Sequence, residues 1–317
     1  QNDTGTVNED GTLTVSNGGN ETTVTAAALD SNPLDVSIRA NPYGLAFNDD
    51  GTKMFVFDAG ADDIEQFTLS TAFDVSTASW TTRNQHPGGR DSDGRGLVFN
   101  NDGTKLFFVG QGYIYPYTLS TPYDVTQYSS LANLDIRSQD TNPRDIKFNN
   151  DGTKMFVLGG AGNDVNEYAL STAFDTSSAS YSQNFSLSSQ VSEPSSITFN
   201  NDGTKMFVVD SGTDDDINEY TLSTAFDVST ASYVGNFSIG SADNDPKGFV
   251  FNNDGTKMFV VGSTANEVNE YTLTSPFSLV NVTGEHTGDV IDSSNTSTQD
   301  TDVDIETLTV TAVRKGS

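Results

Sequence analysis

The chain has 317 residues, of which 44 are acidic and 15 are basic, so its net charge at pH 7 is −29. This balance argues against nucleic acid and anionic membranes as partners, since both are recognised through basic patches. The absence of cysteine excludes disulfides and thiol chemistry. No apolar run approaches the roughly 20 residues of a membrane helix, so we expect no membrane insertion.

Residues 1–32 are predicted to form the first part of a β-sandwich that flanks the main domain. The stretch 7–15 (VNEDGTLTV) combines a turn with an alternating strand. Residues 17–20 (NGGN) are a further turn signal. Because the sequence begins within this pattern, we expect the chain to be a segment of a longer protein.

Residues 33–283 contain one motif five times. The motif is FNNDGTKMF or a close variant, in residues 47–55, 99–107, 148–156, 199–207 and 251–259. The spacings between successive motif glycines are 52, 49, 51 and 52 residues, measured at Gly51, Gly103, Gly152, Gly203 and Gly255. A fixed period of this length indicates stacked supersecondary units rather than separate domains.

Each unit is predicted to contain four strands. A short apolar strand leads through an Asp-Gly hairpin turn into a Lys-Met-Phe-Val strand. An alternating third strand follows, and a polar loop leads to the fourth. Such a unit of about 50 residues is typical of a propeller blade. The predicted fold class is therefore all-β, a five-bladed β-propeller inserted in or flanked by a partial β-sandwich.

The order of the strands predicts how the ring closes. Residues 33–40 (PLDVSIRA) match the fourth-strand region of other units but follow no blade, whereas the last unit has no good fourth strand. We expect residues 33–40 to complete the last blade, which would leave no exposed edge. In the alternative, residues 278–283 form that strand and residues 33–40 are spare.

Residues 284–317 return to the character of the N-terminal segment. An aspartate-rich stretch precedes the strongly alternating residues 307–313 (TLTVTAV). Because the ends of the ring meet, both terminal segments leave it at nearby points. We therefore predict that they pair into one sandwich interrupted by the propeller.

The flanking segments resemble a known family. Residues 7–15 and 300–313 resemble the VCBS or cadherin-like repeats of giant bacterial surface adhesins. The repeated strings NNDGTKMFV and NEYTLSTAFDVSTASY resemble propeller segments embedded in such proteins of marine bacteria. The resemblance implies a secreted or cell-surface protein, often stabilised by calcium, that serves attachment without catalysis. It also implies a monomeric propeller within a longer chain, with a carbohydrate or another surface protein as partner.

Two groups of carboxylates are candidate Ca²⁺ ligands, because calcium prefers six to eight oxygens. One group lies between the second and third strands of the fourth unit: Asp210, Asp214 and Asp216. The other alternates along an extended segment, which places its members on one side: Asp300, Asp302 and Asp304. Solvated loop charge is the alternative interpretation of both.

The residues that open the first strands are predicted to meet at the mouth of the central channel. They are Tyr43, Arg95, Arg144, Ser195 and Lys247. A positive spot in so acidic a chain could bind a carboxylate or an acidic sugar. In the alternative, these cations pair with the neighbouring Asp93, Asp145 and Asp245. The motif lysines, by contrast, are expected to be solvated: Lys53, Lys105, Lys154, Lys205 and Lys257.

These observations favour a non-catalytic adhesion or ligand-display module, and we expect no enzyme activity. One rival is a five-bladed glycoside hydrolase, which needs two carboxylates flanking the scissile bond. Among the first strands only Asp145 is acidic, so the sequence does not supply that pair there. The other rival is a structural spacer in a long stalk.

Overall fold

The computed structural model describes residues 4–7, 13–16, 26–30, 32–37, 41–61, 63–85, 94–280, 300–301 and 307–308. The chain divides into two compact units, one of residues 24–281 and one of residues 1–23 and 282–317. In the second unit, β1 (Thr4–Val7) pairs antiparallel with β2 (Leu13–Ser16).

The first unit is a ring of five antiparallel sheets. Two short strands, β3 (Ala27–Leu29) and β4 (Leu34–Asp35), precede the first complete blade. That blade consists of β5 (Pro42–Phe47), β6 (Lys53–Asp58), β7 (Asp63–Leu69) and β8 (Ala78–Gln85). The second contains β9 (Arg95–Phe99), β10 (Lys105–Gly110) and β11 (Tyr113–Leu119), with β12 (Tyr128–Ser130) and β13 (Leu134–Asp135) sharing its outer position.

The remaining blades repeat this order. The third is β14 (Pro143–Phe148), β15 (Lys154–Gly159), β16 (Asp164–Leu170) and β17 (Ala179–Ser186). The fourth is β18 (Pro194–Phe199), β19 (Lys205–Asp210), β20 (Asp216–Leu222) and β21 (Ala231–Ser238). The fifth has β22 (Pro246–Phe251), β23 (Lys257–Gly262) and β24 (Glu267–Leu273). Short 3₁₀ turns at Val75–Thr77, Thr176–Ser178 and Val228–Thr230 precede three of the outer strands.

The N-terminal segment closes the ring, as the sequence predicts. Both β3 and β4 pair antiparallel with β24, so they provide the outer strand of the fifth blade. The closing segment begins at Ala27, earlier than the predicted residue 33. The alternative strand at residues 278–283 is not formed over residues 278–280, which is the part that the structure describes.

The core lies between blades. The second strand of each blade is buried along almost its whole length, because it has a strand on either side and a neighbouring blade on each face. All four methionines are fully buried in this layer, as expected for residues that fill irregular gaps: Met54, Met155, Met206 and Met258. One core cluster joins Met54 of the first blade to Phe259 of the fifth, which shows the closure in side-chain packing.

The motif lysines are not merely solvated, and that expectation is wrong. Each Nζ donates to a main-chain carbonyl of the next blade, and the bonds run in one direction around the ring: Lys53 to Tyr123, Lys105 to Phe174, Lys154 to Phe226, Lys205 to Phe277 and Lys257 to Phe73. The acceptor residues all have positive φ. Each of their rings lies on a motif glycine, where a Cβ would meet the ring at 2.2–2.3 Å. The repeated motif thus joins neighbouring blades as well as neighbouring strands.

Near the C-terminus, β25 (Asp300–Thr301) pairs with β26 (Thr307–Leu308). This pair and the β1–β2 hairpin are what the structure describes of the second unit, and the predicted cadherin-like sandwich is not shown. The domain boundaries predicted at residues 32 and 283 stay predictions. Within the described ranges, no helix has the length and apolar character needed to cross a membrane.

Candidate functional site

We call the side of the ring where the first strands begin the entrance face. In four blades a β-bulge interrupts the register after the proline that opens the first strand. The residue left out of register is Tyr43, Arg144, Ser195 or Lys247. In the second blade the bulge falls one residue later, at Gly96, and Arg95 at the equivalent repeat position pairs with Val109. Bulges commonly re-aim side chains beside binding sites. The structure therefore places all five predicted residues around the centre of one face.

Three of these residues form a group of cations around Tyr43. The Arg144 Nη1 donates to the Tyr43 hydroxyl at 3.1 Å. The Arg95 guanidinium carbon lies 5.4 Å from the Tyr43 ring centroid, and the Lys247 Nζ lies 5.6 Å from it. Aromatic faces attract cations, so the ring holds the two outer charges in place. We call Arg95, Arg144 and Lys247 the cation group.

The other two predicted ligand residues are not available for binding. Tyr43 is only 5% exposed beneath the cations, so its ring offers no open face on which a sugar could stack. Ser195 is buried, and its hydroxyl donates to the Pro246 carbonyl at 2.9 Å. Both residues instead support the entrance face. Their burial could not be predicted, because it depends on side chains from other blades.

The alternative of local ion pairs holds for Lys247 and does not hold for Arg144. Lys247 pairs with Asp245. Arg144 does not pair with Asp145 and leaves its buried Nε without a partner among the described residues. Arg95 donates from Nη1 to the Asn142 side-chain oxygen at 2.6 Å, and Asp93 lies outside the described residues. The role of Asn142 was missed because nothing in the sequence relates it to a strand of another blade.

Asp145 is engaged below the entrance face. Its carboxylate accepts from Lys147 Nζ at 2.8 and 2.9 Å, from Ser196 Oγ at 2.8 Å, and from main-chain N–H groups of Ile146 and Ile197. The side chains and main chain at this level leave no space wide enough for a water molecule. The centre of the ring is therefore closed, and the two faces are separate surfaces.

The predicted calcium ligands of the fourth blade hold their own loop. Asp210 is fully buried and accepts main-chain N–H groups from Ser192, Glu193 and Gly212. Asp216 accepts from the side-chain amides of Asn218 and Asn236. Within the described parts of the chain, no three His, Cys, Asp or Glu side chains are placed to hold a metal ion. The side chains of the second group, Asp300, Asp302 and Asp304, lie outside the described residues, so calcium binding there stays a prediction.

A carboxyl group that the sequence analysis passed over also lies on the entrance face. Asp215, in the loop before β20, has φ of 45° and a buried Oδ1 without a partner among the described residues. Burial raises its pKa, and the charges of Asp245 and other nearby carboxylates raise it further. The signal was available in the sequence, because asparagine stands at this loop position in two other blades, at Asn163 and Asn266.

No protein-family model matches the sequence, and no curated protein matches it. Solved structures with a similar backbone include a functionally unknown protein from Desulfotomaculum acetoxidans, at 14% identity and a TM-score of 0.43 over 70% of this chain. The match spans 62% of that protein. Another is a protein from Bacteroides uniformis provisionally named a 6-phosphogluconolactonase, at 16% identity and a TM-score of 0.47 over 84% of this chain and 80% of the other. A third is a luciferin-regenerating enzyme, at 10% identity and a TM-score of 0.49 over 78% and 96%.

These comparisons correct the expectation that the protein is not an enzyme. Two of the three similar structures carry the names of enzymes, so the architecture gives no ground for excluding catalysis. At such low identity the likeness concerns the fold alone. No particular activity of this chain follows from it.

Proposed function

We propose that the propeller binds an acidic sugar at its entrance face, with the carboxylate of the sugar between Arg95 and Arg144. The observation that carries this proposal is the cation group, gathered from three different blades in a chain of net charge −29. Lys247 is already paired with Asp245, so the repulsion that an anionic ligand would remove is that between Arg95 and Arg144.

The donor geometry fits a carboxylate. One Nη1 of each guanidinium is held by a neutral protein group, Asn142 or the Tyr43 hydroxyl. These contacts orient the two arginines, and in this proposal their outer N–H groups bind the ligand. A guanidinium presents paired donors that match the two oxygens of a carboxylate. Uronic acids therefore fit better than neutral sugars, and in a cell-surface protein such binding would serve attachment to acidic polysaccharides.

The test is a titration of the 317-residue chain with oligogalacturonate and with a neutral oligosaccharide of equal length. Replacing Arg144 with Ala should weaken oligogalacturonate binding by about tenfold or more, because a charged hydrogen bond contributes roughly 1.5–3 kcal/mol. Higher salt should weaken it further. Arg83→Ala is the matched control, because Arg83 lies on an outer strand and is 41% exposed. Equal affinity of wild type and Arg144→Ala for the acidic ligand would reject the proposal.

Hydrolysis of the bound sugar is a second candidate function, favoured by the acidic pair Asp215 and Asp245. Glycosidases use one carboxyl group that holds a proton and one that is ionised. Asp215 has a raised pKa, whereas Asp245 accepts hydrogen bonds from Lys247 and from the Ser263 hydroxyl. Asp215 would protonate the leaving oxygen, and Asp245 would take a proton from the attacking water.

Release of reducing ends from acidic polysaccharides tests this second function. Asp215→Asn should abolish the release while leaving binding by Arg144 in place. Asp214→Asn is the control, because Asp214 is an exposed neighbour in the same loop. If no polysaccharide in the panel is cleaved, or Asp215→Asn cleaves as fast as wild type, hydrolysis at this pair is ruled out.

A further inference from the structure

The opposite side of the ring, where the first strands end in the motif turns, carries a second concave feature. We call it the turn face. A cavity of about 260 Å³ opens there along the ring axis. It is separated from the entrance face by the closed layer around Asp145 and Ser196. Its volume is just below the roughly 300 Å³ at which small-molecule pockets begin, so it suits a single small ring.

The walls of this cavity present polar and apolar groups in similar proportion. The residue before the final phenylalanine of each first strand contributes to the lining, and these residues are Ala46, Val98, Lys147, Thr198 and Val250. Phenylalanines at the strand ends, such as Phe99 and Phe251, add aromatic surface. Lys147 is the single charged residue of this set, and its charge is matched by Asp145. The lining therefore combines apolar patches with polar groups, and its second charged residue, Asp49 at the rim, accepts from the Tyr123 hydroxyl.

The inner edges of the first strands turn main-chain groups toward the ring axis. The Ile197 N–H donates to Asp145 and the Phe249 N–H donates to Ser196, so the fourth residue of a first strand turns its main-chain groups toward the ring centre. In an antiparallel strand the direction alternates, so the phenylalanine two residues later turns its N–H and C=O inward as well. First strands pair with one neighbour only, and their inner edge has no ladder partner. Buried main-chain groups of this kind need a polar partner.

Side-chain donors complete the lining. Lys147 Nζ uses two contacts on Asp145, which leaves one of its three N–H groups for the cavity. Thr198 adds a hydroxyl. The rim is held in shape by asparagine amides that donate from turn to turn: Asn101 to Asn150, Asn150 to Asn201, Asn201 to Asn253 and Asn253 to Asp49. The cavity is therefore preformed and does not depend on a ligand to organise it.

We propose that the turn-face cavity binds one neutral monosaccharide ring. Hydroxyl groups both donate and accept, so they match a lining of inward N–H and C=O groups. The C–H faces of the ring match Val98, Val250 and the phenylalanine edges. An acidic sugar would be disfavoured, because Lys147, the one cation among the described lining residues, is already paired with Asp145 and the rim carries Asp49.

The test is saturation-transfer NMR on the 317-residue chain with glucose, galactose, mannose and xylose as probes. At least one of them should bind saturably. Val98→Phe or Val250→Phe fills the cavity and should reduce that binding at least tenfold. Val234→Phe is the matched control, because Val234 is exposed on an outer strand. Arg144→Ala should leave binding unchanged, which separates this site from the acidic-sugar site.

Each filling variant is first checked for a cooperative thermal transition. Two positions are used so that one unfolded variant does not decide the result. If no probe binds wild type saturably, the cavity holds water only and the proposal is rejected. It is also rejected if both folded filling variants bind as wild type does.

Discussion

At the scale of single residues, the interface between the first and second blades departs from the repeat in two matched places. Four turns carry asparagine at the rim position, and the first blade carries Asp49. Aspartate cannot donate, so Asp49 cannot continue the chain of amide bonds to the second blade. Four loops carry phenylalanine on the motif glycine, and the second blade carries Tyr123. The Tyr123 hydroxyl donates to Asp49 at 2.6 Å and lies 3.2 Å from the Asn101 carbonyl.

The matched pair predicts a strong energetic coupling. Tyr123→Phe should lower the free energy of unfolding by about 1–3 kcal/mol, because it removes the donor to a partly buried carboxylate. The double variant Tyr123→Phe/Asp49→Asn recreates the arrangement of the other blades and should recover most of the loss. Urea denaturation of the two single variants and the double variant measures the coupling. Strictly additive effects would show that the two substitutions are independent.

For this pair the sequence predicts that the two residues are unusual, but it does not predict that they contact each other. The departures from the repeat are visible in the sequence, but Asp49 and Tyr123 are 74 residues apart and nothing in one sequence relates them. The cation group was predictable for a different reason. Its members stand at equivalent repeat positions, and a ring maps equivalent positions onto one face. The burial of Tyr43 and Ser195 depends on side chains from other blades, so it could not be predicted.

At the scale of elements, the entrance-face loops of four blades are each held by one buried carboxylate that comes from either of two places. In the first and fourth blades it ends the second strand, as Asp58 and Asp210, and accepts loop N–H groups. In the third and fifth blades it comes from the loop before the first strand, as Asp140 and Asp243. There the second strand ends in glycine, because a Cβ would collide with the carboxylate at about 2–2.5 Å: Gly159 and Gly262.

Because the buried carboxylate can come from either position, we expect a second substitution to restore the stability that the first one removes. Gly262→Asp alone should destabilise the fifth blade, since its Cβ would lie 2.1 Å from the Asp243 carboxyl carbon. Adding Asp243→Val reproduces the pair Val191 and Asp210 of the fourth blade and should restore most of the melting temperature. Differential scanning calorimetry of the single and double variants measures this. A double variant no more stable than Gly262→Asp would mean that the two carboxylate positions are not interchangeable.

The aspartates of the motif turn are expected to make the stability of the fold sensitive to low pH. These aspartates accept the hydroxyl and the N–H of the threonine two residues later, which lowers their pKa below the usual 3.8: Asp50, Asp102, Asp151, Asp202 and Asp254. A carboxyl group with a lower pKa in the folded state stabilises the fold above its unfolded pKa, and this contribution is lost as pH falls through the folded value. Asp164 and Asp216 act in the opposite direction, since burial raises their pKa and stability is lost as pH rises through it.

We therefore expect the melting temperature to fall as pH is lowered from about 5 to 3, the range in which carboxylates become protonated. Replacing Asp202 and Asp254 with Asn should flatten this dependence. Asp214→Asn, at an exposed position outside the turns, serves as the comparison. Equal slopes in the turn variant and the comparison variant would contradict the role of the turns.

At the scale of the whole molecule, the repeat alone determined the number of blades and the origin of the closing strand. The period counts the units, and a fourth-strand match with no preceding blade identifies the piece that completes the last one. The start of that piece was misplaced for a physical reason. The outer strand of the fifth blade is divided into β3 and β4, as it is divided into β12 and β13 in the second, and only the second half matches the repeat string.

Because β3 and β4 close the ring, we expect their removal to cause self-association and to lower the melting temperature. Removing residues 26–37 would take away β3 and β4 and expose β24, whose unpaired N–H and C=O groups would become a free edge. The first and fifth blades would also lose a support, because Val36 packs in the same core cluster as Met54 and Phe259. We expect the truncated chain to self-associate in size-exclusion chromatography with light scattering and to melt at a lower temperature. Removal of residues 1–23, which belong to the other unit, is the control and should leave the ring monomeric. A truncated ring lacking residues 26–37 that stays monomeric and melts as the control does would show that the fifth blade is complete without its N-terminal strands.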